Sequence, residues 1–370
     1  MLDHWDDVVS ALDQGIPCAA ATIIRTSGSV PRPAGTSMVV TADGGVLGSL
    51  TGGCVEAAVL ESALEAIADG KPRTESFGYS DGDAFAVGLS CGGSLDVHIL
   101  PLAPGSLPGG PVPSAVLRRL DGGAHLPLPV ATEEDLRNAL VALHPEAGSS
   151  VPEQLAGMLA AGHTGILTLA DGECGAQAAE LFLECRAAAP ALLLLGANDY
   201  SAALSRMGAM LGYRVTVADG RPVFTDPRRF PEADAVVVQW PDALVRAEQE
   251  AGRLDASSVI CLLSHDAKFD VPALAAALQS GAGYVGAMGS RRTNRHRLRA
   301  LRNAGVPETA LARLHAPIGL DIGAVTPAEV ALSVFAEVTA SRSAASGMPL
   351  RGLSGPIHSP SRLINHLTAS

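Results

Sequence analysis

Short apolar stretches separated by helical segments are the feature that most constrains how this chain can fold. Four of them, at residues 192–195, 215–217, 235–238 and 259–263, alternate with segments of helical periodicity, and residues 284–287 form a fifth. Strands that are buried on both faces and separated by helices form parallel sheets with helices on both sides. The pattern therefore predicts a doubly wound parallel sheet.

The first hundred residues show a different pattern, in which helices are mixed with hairpin strands. Trp5 and Leu12 lie on one face of an amphipathic helix, and residues 19–24 form an apolar run with a β-branched end. Asp43-Gly44 separates two short strands, as in a tight hairpin, and residues 54–68 again have helical periodicity. An α+β domain is predicted here.

The predicted fold class is α/β, with an N-terminal α+β domain followed by a Rossmann-like doubly wound parallel-sheet domain. Between the two the periodicity weakens, and it does so first in a Pro- and Gly-rich stretch typical of an exposed connector. A tail rich in Ser, Pro and Gly is expected to be flexible. We assign an N-terminal domain at 1–102, a connector or variable middle segment at 103–189, the Rossmann-like domain at 190–342 and the tail at 343–370.

Charge and composition exclude several classes of protein. The net charge of −12 would repel a polyphosphate backbone, so nucleic acid is not an expected partner. The acidic N-terminus is unlike a secretory signal, and the longest apolar stretch is half as long as the roughly 20 residues that span a bilayer. Six cysteines without Cys-x-x-Cys spacing predict reduced thiols in the cytoplasm, with neither a disulfide framework nor a zinc site. The sequence also lacks the patterns of a Ser/His/Asp triad or a kinase.

Two glycine-flanked cysteines mark candidate binding loops in the N-terminal domain. Gly52 and Gly53 precede Cys54 at the predicted start of a helix, where the helix dipole would favour a thiolate. Glu56 is either a ligand contact or an ordinary acid of the first helical turn. Cys91, followed by Gly92 and Gly93, forms a second loop of this kind. The alternative interpretation is a pair of tight turns with structural cysteines.

The turn after residues 192–195 stands where a dinucleotide-binding fold has its glycine-rich motif. Only the first glycine, Gly196, is present. The side chain of Asn198 would obstruct a pyrophosphate, and Asp199 adds negative charge at the start of the helix. Asp219 stands where a ribose hydroxyl would be held, although it could equally be a turn residue. Binding of NAD(P) is therefore doubtful.

Later strand ends carry a more credible anion site. Ser290 opens a helix with Arg291 and Arg292 close by, although these arginines could also be a solvated basic face. His265 could transfer protons or contact a ligand, or it could be a local hydrogen-bonding residue. Asp321 lies in a glycine-rich loop ahead of a helix whose start, Thr326 to Glu329, has the pattern of a capping box.

Taken in order, these motifs resemble the XdhC/CoxI family of molybdenum-hydroxylase maturation factors. The motifs that carry the resemblance are residues 28–32 (GSVPR) with Gly35, 52–56 (GGCVE), 91–93 (CGG), 215–219 (VTVAD) with Arg221, 264–270 (SHDAKFD), 284–292 (YVGAMGSRR) and 318–324 (IGLDIGA). The family pattern has Gly-Ala-Gly-His where this chain has residues 196–199 (GAND), and Thr-His where it has 239–240 (QW). The middle segment contributes little to the match.

The resemblance implies a function in handling the molybdenum cofactor (molybdopterin). Proteins of this family bind the cofactor as cargo, shield it during sulfuration by a cysteine desulfurase and deliver it to a molybdenum hydroxylase client. Carried over to this chain, the cofactor-binding residues are Gly52, Gly53, Cys54, Glu56, Cys91, Gly92, Gly93, Gly196, Asp219, His265, Ser290, Arg291, Arg292 and Asp321.

Three hypotheses follow from the sequence. The leading one is a cofactor chaperone with no turnover of its own and no resident metal. The alternatives are an NAD(P)-dependent oxidoreductase and a docking module on a degenerate Rossmann fold. Small residues in the helix after Thr326 would suit a homodimer.

Overall fold

The computed structural model describes residues 1–78, 92–130, 132–144, 151–169, 179–186, 188–264, 266–343, 345–354 and 357. Within these ranges the chain forms two compact units, Met1–Ala188 and Ala189–Ser354. The domain boundaries assigned from the sequence stay a prediction. Most of the tail lies outside the described residues.

The first unit contains a five-stranded antiparallel sheet with a helix on each face. Its elements are α1 (Trp5–Asp13), β1 (Cys18–Ser27), β2 (Ser37–Thr41), β3 (Val46–Gly48), α2 (Glu56–Asp69), β4 (Arg73–Phe77) and β5 (Ser94–Leu102). The strand order is β3-β2-β1-β5-β4. Alternate residues of β1 pack in opposite directions, so that Ala19 and Ala21 join the core with α2 while Ala20 packs with Trp5 of α1. The predicted hairpin around Asp43-Gly44 is present as β2 and β3.

A second sheet lies in the segment for which the sequence indicated a connector. Its elements are β6 (Ala115–Arg119), β7 (His125–Leu128), α3 (Glu133–Leu143), α4 (Glu153–Ala160), β8 (Gly165–Leu169) and β9 (Ala179–Cys185), with strand order β7-β6-β9-β8. A hydrophobic core of its own joins this sheet to the two helices through residues such as Leu117, Leu140 and Leu183. The segment is therefore a folded part of the first unit.

A buried ion pair holds the middle of this second sheet. Arg118 of β6 donates to Glu184 of β9, and its second terminal nitrogen donates to Thr22 Oγ1 of β1 at 3.1 Å. Neither charged side chain is exposed by more than 4%. Burial lowers the pKa of Arg118 to about 9. Removal of one partner would leave an uncompensated charge inside the unit.

The second unit is the predicted doubly wound parallel sheet. Its elements are β10 (Ala191–Leu195), α5 (Asp199–Met210), β11 (Arg214–Asp219), β12 (Ala235–Val238), α6 (Pro241–Glu250), β13 (Val259–Leu262), α7 (Ala267–Gln279), β14 (Tyr284–Ala287), α8 (Arg291–Asn303), α9 (Glu308–Leu311), β15 (Leu314–His315) and α10 (Pro327–Arg342). The strand order is β12-β11-β10-β13-β14-β15, and neighbouring strands are parallel. The predicted fold class is confirmed.

Helices cover both faces of the parallel sheet. Leu193 and Leu195 of β10 face the core formed with α6, α7 and α8, whereas Leu192 and Leu194 face the core formed with α5 and α10. The predicted capping box from Thr326 to Glu329 opens α10. Because the strands are parallel, the loops that follow β10, β11, β13, β14 and β15 lie along one edge of the sheet.

Candidate functional site

Three glycine-rich loops of the first unit gather at one end of its five-stranded sheet. Ser27 at the end of β1 pairs with Ser94 at the start of β5, and Gly48 at the end of β3 pairs with Met38 near the start of β2. The loops at 28–36 and 49–55 and the residues before Ser94 therefore share this end. The predicted Gly52–Cys54 and Gly92–Gly93 residues lie in these loops.

Two of the loops are in direct contact, and the contact requires glycine. A Cβ atom added to Gly93 would lie 2.4 Å from the backbone oxygen of Ser29, and one added to Gly28 would lie 3.2 Å from the Cα atom of Gly93. Any residue with a Cβ atom at position 93 would require the backbone to move. Cys91 lies outside the described residues, so its assignment as a cofactor-binding residue stays a prediction.

The carboxylate of Glu56 occupies the third loop, residues 49–55. One of its oxygens accepts hydrogen bonds from the amides of Leu50, Thr51 and Gly52 at 2.7–3.1 Å and from the Ser49 hydroxyl at 2.8 Å. The other oxygen accepts from the Gly53 and Val55 amides at 2.8 and 3.1 Å and from Thr51 Oγ1 at 3.0 Å. Burial acts to raise the pKa of Glu56, but these hydrogen bonds outweigh it and hold the pKa well below its ordinary range. The loop amides thus already bind an anion, which is part of the protein.

This arrangement changes the interpretation of Cys54. The sequence suggested that the helix dipole at the start of α2 would favour a thiolate there, but the amides of Gly53 and Val55 at this helix start donate to the Glu56 carboxylate. Cys54 is half-buried, its own amide donates to Thr51 Oγ1 at 3.2 Å, and it packs against the core beneath α2. Glu56 is therefore an organiser of the loop that carries Cys54.

In the second unit, the turn after β10 is filled by protein groups. Gly196 has a φ of 114°. The Asn198 side chain accepts hydrogen bonds from the amides of Tyr200 and Ser201 at 2.9 and 3.1 Å and donates to the carbonyl of Leu263 at 3.0 Å. A pyrophosphate bound to a dinucleotide fold would lie at this helix start. In this protein the Asn198 side chain occupies the position of the pyrophosphate.

Asp219 is also engaged by neighbouring groups. Its carboxylate accepts from the amide of Ala197 at 3.1 Å and from the Arg221 guanidinium at 2.9 and 3.0 Å. Burial acts to raise the pKa of Asp219, but the bonds from Arg221 and Ala197 outweigh it and hold the pKa below its ordinary value. A cavity of about 270 Å³ remains beside these residues, lined by Gly196, Asn198, Asp219, Gly220, Arg221, Pro241, Leu263, Ser264, Asp266 and Phe269.

A larger cavity lies between the strand ends of β14 and β15 and brings four predicted residues together. Its volume is about 640 Å³. Ser290 caps α8 by accepting the Thr293 amide at 3.1 Å, so Arg291 and Arg292 stand at the helix start, where amides and the helix dipole favour an anion. Asp321 lies in the opposite loop. The lining residues are Gly289, Ser290, Arg291, Arg292, Pro317, Ile318, Gly319, Leu320, Asp321, Ile322, Gly323, Ala324, Val330 and Ser333.

The loop that carries Asp321 is held from below by α10. Glu337 accepts hydrogen bonds from the Gly319 amide at 2.7 Å and the Tyr284 hydroxyl at 2.5 Å, and it pairs with His315 Nδ1 at 3.1 Å. Burial acts to raise the pKa of Glu337, but these three partners outweigh it and the pKa is lowered. Ser333 adds a hydrogen bond to the Leu320 carbonyl at 2.6 Å. The wall of the cavity is thus rigidly supported.

A buried ion pair connects the cavity beside Asp219 with the cavity beside Asp321. Asp270 accepts from Arg297 at 2.7 Å, and neither side chain is exposed by more than 5%. Asp270 also accepts from Ser264, which lines the smaller cavity. Arg297 in turn donates to the Met288 carbonyl at 3.2 Å, just before the Gly289 turn. His265, within the same sequence motif as Asp270, lies outside the described residues.

The sequence interpretation missed the supporting residues. Glu337 and Arg297 were not among the predicted site residues, yet they hold the two loops around the larger cavity. The helical spacing could have identified Arg297, because it lies three residues after Asn294 and four before Leu301, on the buried face of α8. A charge on the buried face of a helix indicates an internal partner.

Within the described ranges, no three His, Cys, Asp or Glu side chains converge as metal ligands would. Of the helices in that part of the chain, none combines the length and the hydrophobicity needed to cross a bilayer.

Comparison with solved structures supports the architecture. The protein described as a xanthine dehydrogenase from Bacillus halodurans, known from a crystal structure, superposes with a TM-score of 0.59 and 21% sequence identity over 98% of both chains. At this identity the likeness concerns the fold alone.

Comparison with sequences identifies the family. The model of the XdhC and CoxI family matches residues 11–78, and that of the XdhC Rossmann domain matches residues 192–338. The molybdenum cofactor insertion chaperone PaoD of Escherichia coli is 30% identical over 90% of this chain and 86% of its own length. A Bacillus subtilis protein described as a probable xanthine dehydrogenase subunit is 26% identical over 87% of this chain and 92% of its own length. YqeB of Escherichia coli is 26% identical over 88% of the chain, which spans only 44% of that relative. The chain belongs to the XdhC and CoxI family, as its sequence motifs indicated.

Proposed function

We propose that the protein is a cytoplasmic accessory factor that binds the molybdenum cofactor as cargo, protects it during sulfuration and delivers it to a molybdenum hydroxylase. The observation that carries the proposal is the cavity of about 640 Å³, which gathers Ser290, Arg291, Arg292 and Asp321. The relative PaoD, named a molybdenum cofactor insertion chaperone, supports the choice of cargo.

The chemistry of the cavity suits this cargo. Molybdopterin is a flat pterin that carries a phosphate group. Arginine guanidinium groups and helix amides are the groups that proteins use to bind phosphate, and both lie at the start of α8. An apolar wall with a few placed polar groups suits a flat heterocycle. Arg291 and Arg292 would hold the phosphate end of the cofactor.

The glycine-rich end of the first unit has a separate task in this proposal. Glu56 fixes the backbone of residues 49–55, so that Cys54 is held at one position on the loop. A thiol held in this way suits a step in which a cysteine desulfurase supplies sulfur. Substitution of Cys54 by Ala is therefore expected to lower client activation while cofactor binding persists.

The test is to purify the protein from cells that synthesise molybdopterin and to assay released pterin by fluorescence and molybdenum by mass spectrometry. Near-stoichiometric pterin is expected for the wild type. The double variant Arg291→Gln, Arg292→Gln should retain much less of it. Arg295→Gln is the matched control, because Arg295 is an exposed arginine of the same helix that does not line the cavity. Absence of pterin from repeated anaerobic preparations would favour the docking-module hypothesis.

A further inference from the structure

The larger cavity of the second unit carries charges of both signs that are not paired with each other. In the described part of the chain, Arg291, Arg292 and Asp321 take part in no ion pair, although all three line the cavity. All three side chains are also exposed at its rim. The cavity therefore offers two guanidinium groups and one carboxylate to a ligand at the same time.

Apolar side chains also line this cavity. Ile318, Leu320 and Val330 line it, and Ile318 and Val330 are packed against the core of the sheet. A ligand that matches these lining groups therefore has an anionic part, an apolar part and a part that donates hydrogen bonds. A ligand with phosphate alone would leave the carboxylate unused.

We propose that Asp321 determines specificity by binding the N–H edge of a 2-amino-4-oxo-pyrimidine ring, while Arg291 and Arg292 bind the phosphate of the same ligand. An ionised carboxylate only accepts hydrogen bonds and has two oxygens, so it can take two parallel N–H groups. The ring of a pterin presents such a pair through its 2-amino group and the adjacent ring nitrogen. This inference rests on the proposed function and assigns the two ends of the cargo to two walls of the cavity.

The loop around Asp321 is organised for such recognition. Gly319, two residues before it, donates its amide to Glu337, and the Leu320 carbonyl accepts from Ser333. The Ile322 amide donates back to the Leu320 carbonyl at 3.0 Å, which closes a tight turn at Asp321. Because the turn is fixed before the ligand arrives, little ordering of the loop opposes binding.

Guanine has the same edge as a pterin, which gives a complete set of probes. GMP carries both the edge and the phosphate, IMP lacks the 2-amino group, and guanosine and inosine lack the phosphate. The full chain is purified without pterin from cells that cannot synthesise molybdopterin, and isothermal titration with each compound at constant ionic strength gives four affinities. The wild type should bind GMP about tenfold more tightly than IMP, the loss expected for one hydrogen bond to a charged acceptor.

Variants separate the two walls. Asp321→Asn should bring the ratio of GMP to IMP affinity close to one; the ratio is decisive because the removal of a charge near the phosphate affects both nucleotides alike. Arg291→Gln with Arg292→Gln should weaken GMP and IMP by the same factor and leave guanosine unchanged. Glu250→Gln, at an exposed acid outside this cavity, is the control and should leave all four affinities unchanged.

Three results would overturn the assignment. They are equal affinities of the wild type for GMP and IMP, an equal loss for both in Asp321→Asn, and no saturable binding of GMP by pterin-free wild-type protein. In each case retention of molybdopterin by the wild type would leave the proposed function standing, whereas its absence would count against the proposed function itself.

Discussion

Replacement of Glu56 by Gln tests whether the loop at 49–55 is built around a carboxylate. Gln has nearly the same shape, but it has no charge and exchanges one acceptor oxygen for an NH2 group that donates. Four donors face one oxygen of Glu56 and three face the other. The Ser49 and Thr51 hydroxyls can rotate to accept, but in either orientation of the amide at least two backbone N–H groups of the loop would face another donor.

The size of the effect follows from these bonds and from solvent. Hydrogen bonds to a charged group contribute about 1.5–3 kcal/mol each, but they are not additive, and water can replace those to exposed amides such as Gly52 and Gly53. We therefore expect Glu56→Gln to lower the free energy of unfolding of the first unit by about 2–3 kcal/mol at pH 7.5. Glu61→Gln is the control, because Glu61 is an exposed acid of the same helix, and it should stay within about 0.5 kcal/mol of the wild type.

Two measurements report on this change. Urea unfolding at several pH values gives the free energy, and hydrogen exchange followed by mass spectrometry gives the protection of the loop amides. Since the pKa of Glu56 is held below its ordinary value of 4.5, its contribution is complete above that pH and is lost as the pH falls through the folded-state pKa. The difference between the wild type and Glu56→Gln should therefore be constant from pH 7.5 to about 5.5 and shrink below pH 4.5.

The carboxylate does not organise the loop if Glu56→Gln unfolds like Glu61→Gln at pH 7.5 and the amides of the loop exchange no faster than in the wild type. A stability loss that persists undiminished at low pH would also refute the role of the charge, because it would indicate a packing defect.

Three further predictions concern the close loop contact and the second unit. Gly93→Ala should destabilise the first unit by about 3 kcal/mol in urea unfolding, because its Cβ would lie 2.4 Å from a backbone oxygen. Gly92→Ala is the control: Gly92 has a φ of 77° but open space around it, so the substitution should cost about 1 kcal/mol. Equal losses in the two variants would contradict the contact. Asp270→Asn should lower the unfolding free energy of the second unit by about 3–5 kcal/mol, because it leaves Arg297 charged and buried without its partner. A change below about 1 kcal/mol would show that the charge of the pair is unimportant. Titration with NADH and NADPH, monitored by the fluorescence of these nucleotides, should show no binding tighter than about 100 µM, because the Asn198 side chain occupies the pyrophosphate position. A low-micromolar affinity would restore the oxidoreductase hypothesis.

The parallel sheet was predictable because its strands are buried on both faces. Residues 192–195 and 259–263 are continuous apolar runs, and no polar residue interrupts their signal. The hairpin of β2 and β3 was predictable for another reason, namely the Asp43-Gly44 pair that suits its turn. In both cases the local sequence and the final packing require the same residues.

The sheet within residues 115–185 could not be read in the same way. Its strands carry Arg118 and Glu184, which look like surface residues in the sequence but are buried as a pair. Glu184 lies 66 positions after Arg118 in the sequence, so their pairing cannot be recognised locally. The two charged residues interrupt the apolar pattern of their strands, although both strands form. The same limit applies to Glu337, whose contact with Tyr284 joins residues 53 positions apart.

The sequence did identify glycine-rich turns at the starts of α2, α5 and α8, but it could not tell which of them has capacity for an external anion. At α2 the loop amides donate to Glu56, and at α5 the first amides donate to Asn198. At α8 the cap accepts only the Thr293 amide through its side chain, which leaves the amides of the first two residues directed out of the helix. An anion that approaches α2 or α5 must displace a carboxylate or an amide side chain, whereas one that approaches α8 meets Arg291 and Arg292 in addition to open amides. This difference in competition, more than the glycines themselves, supports the proposal that the phosphate of a molybdopterin cargo binds at α8.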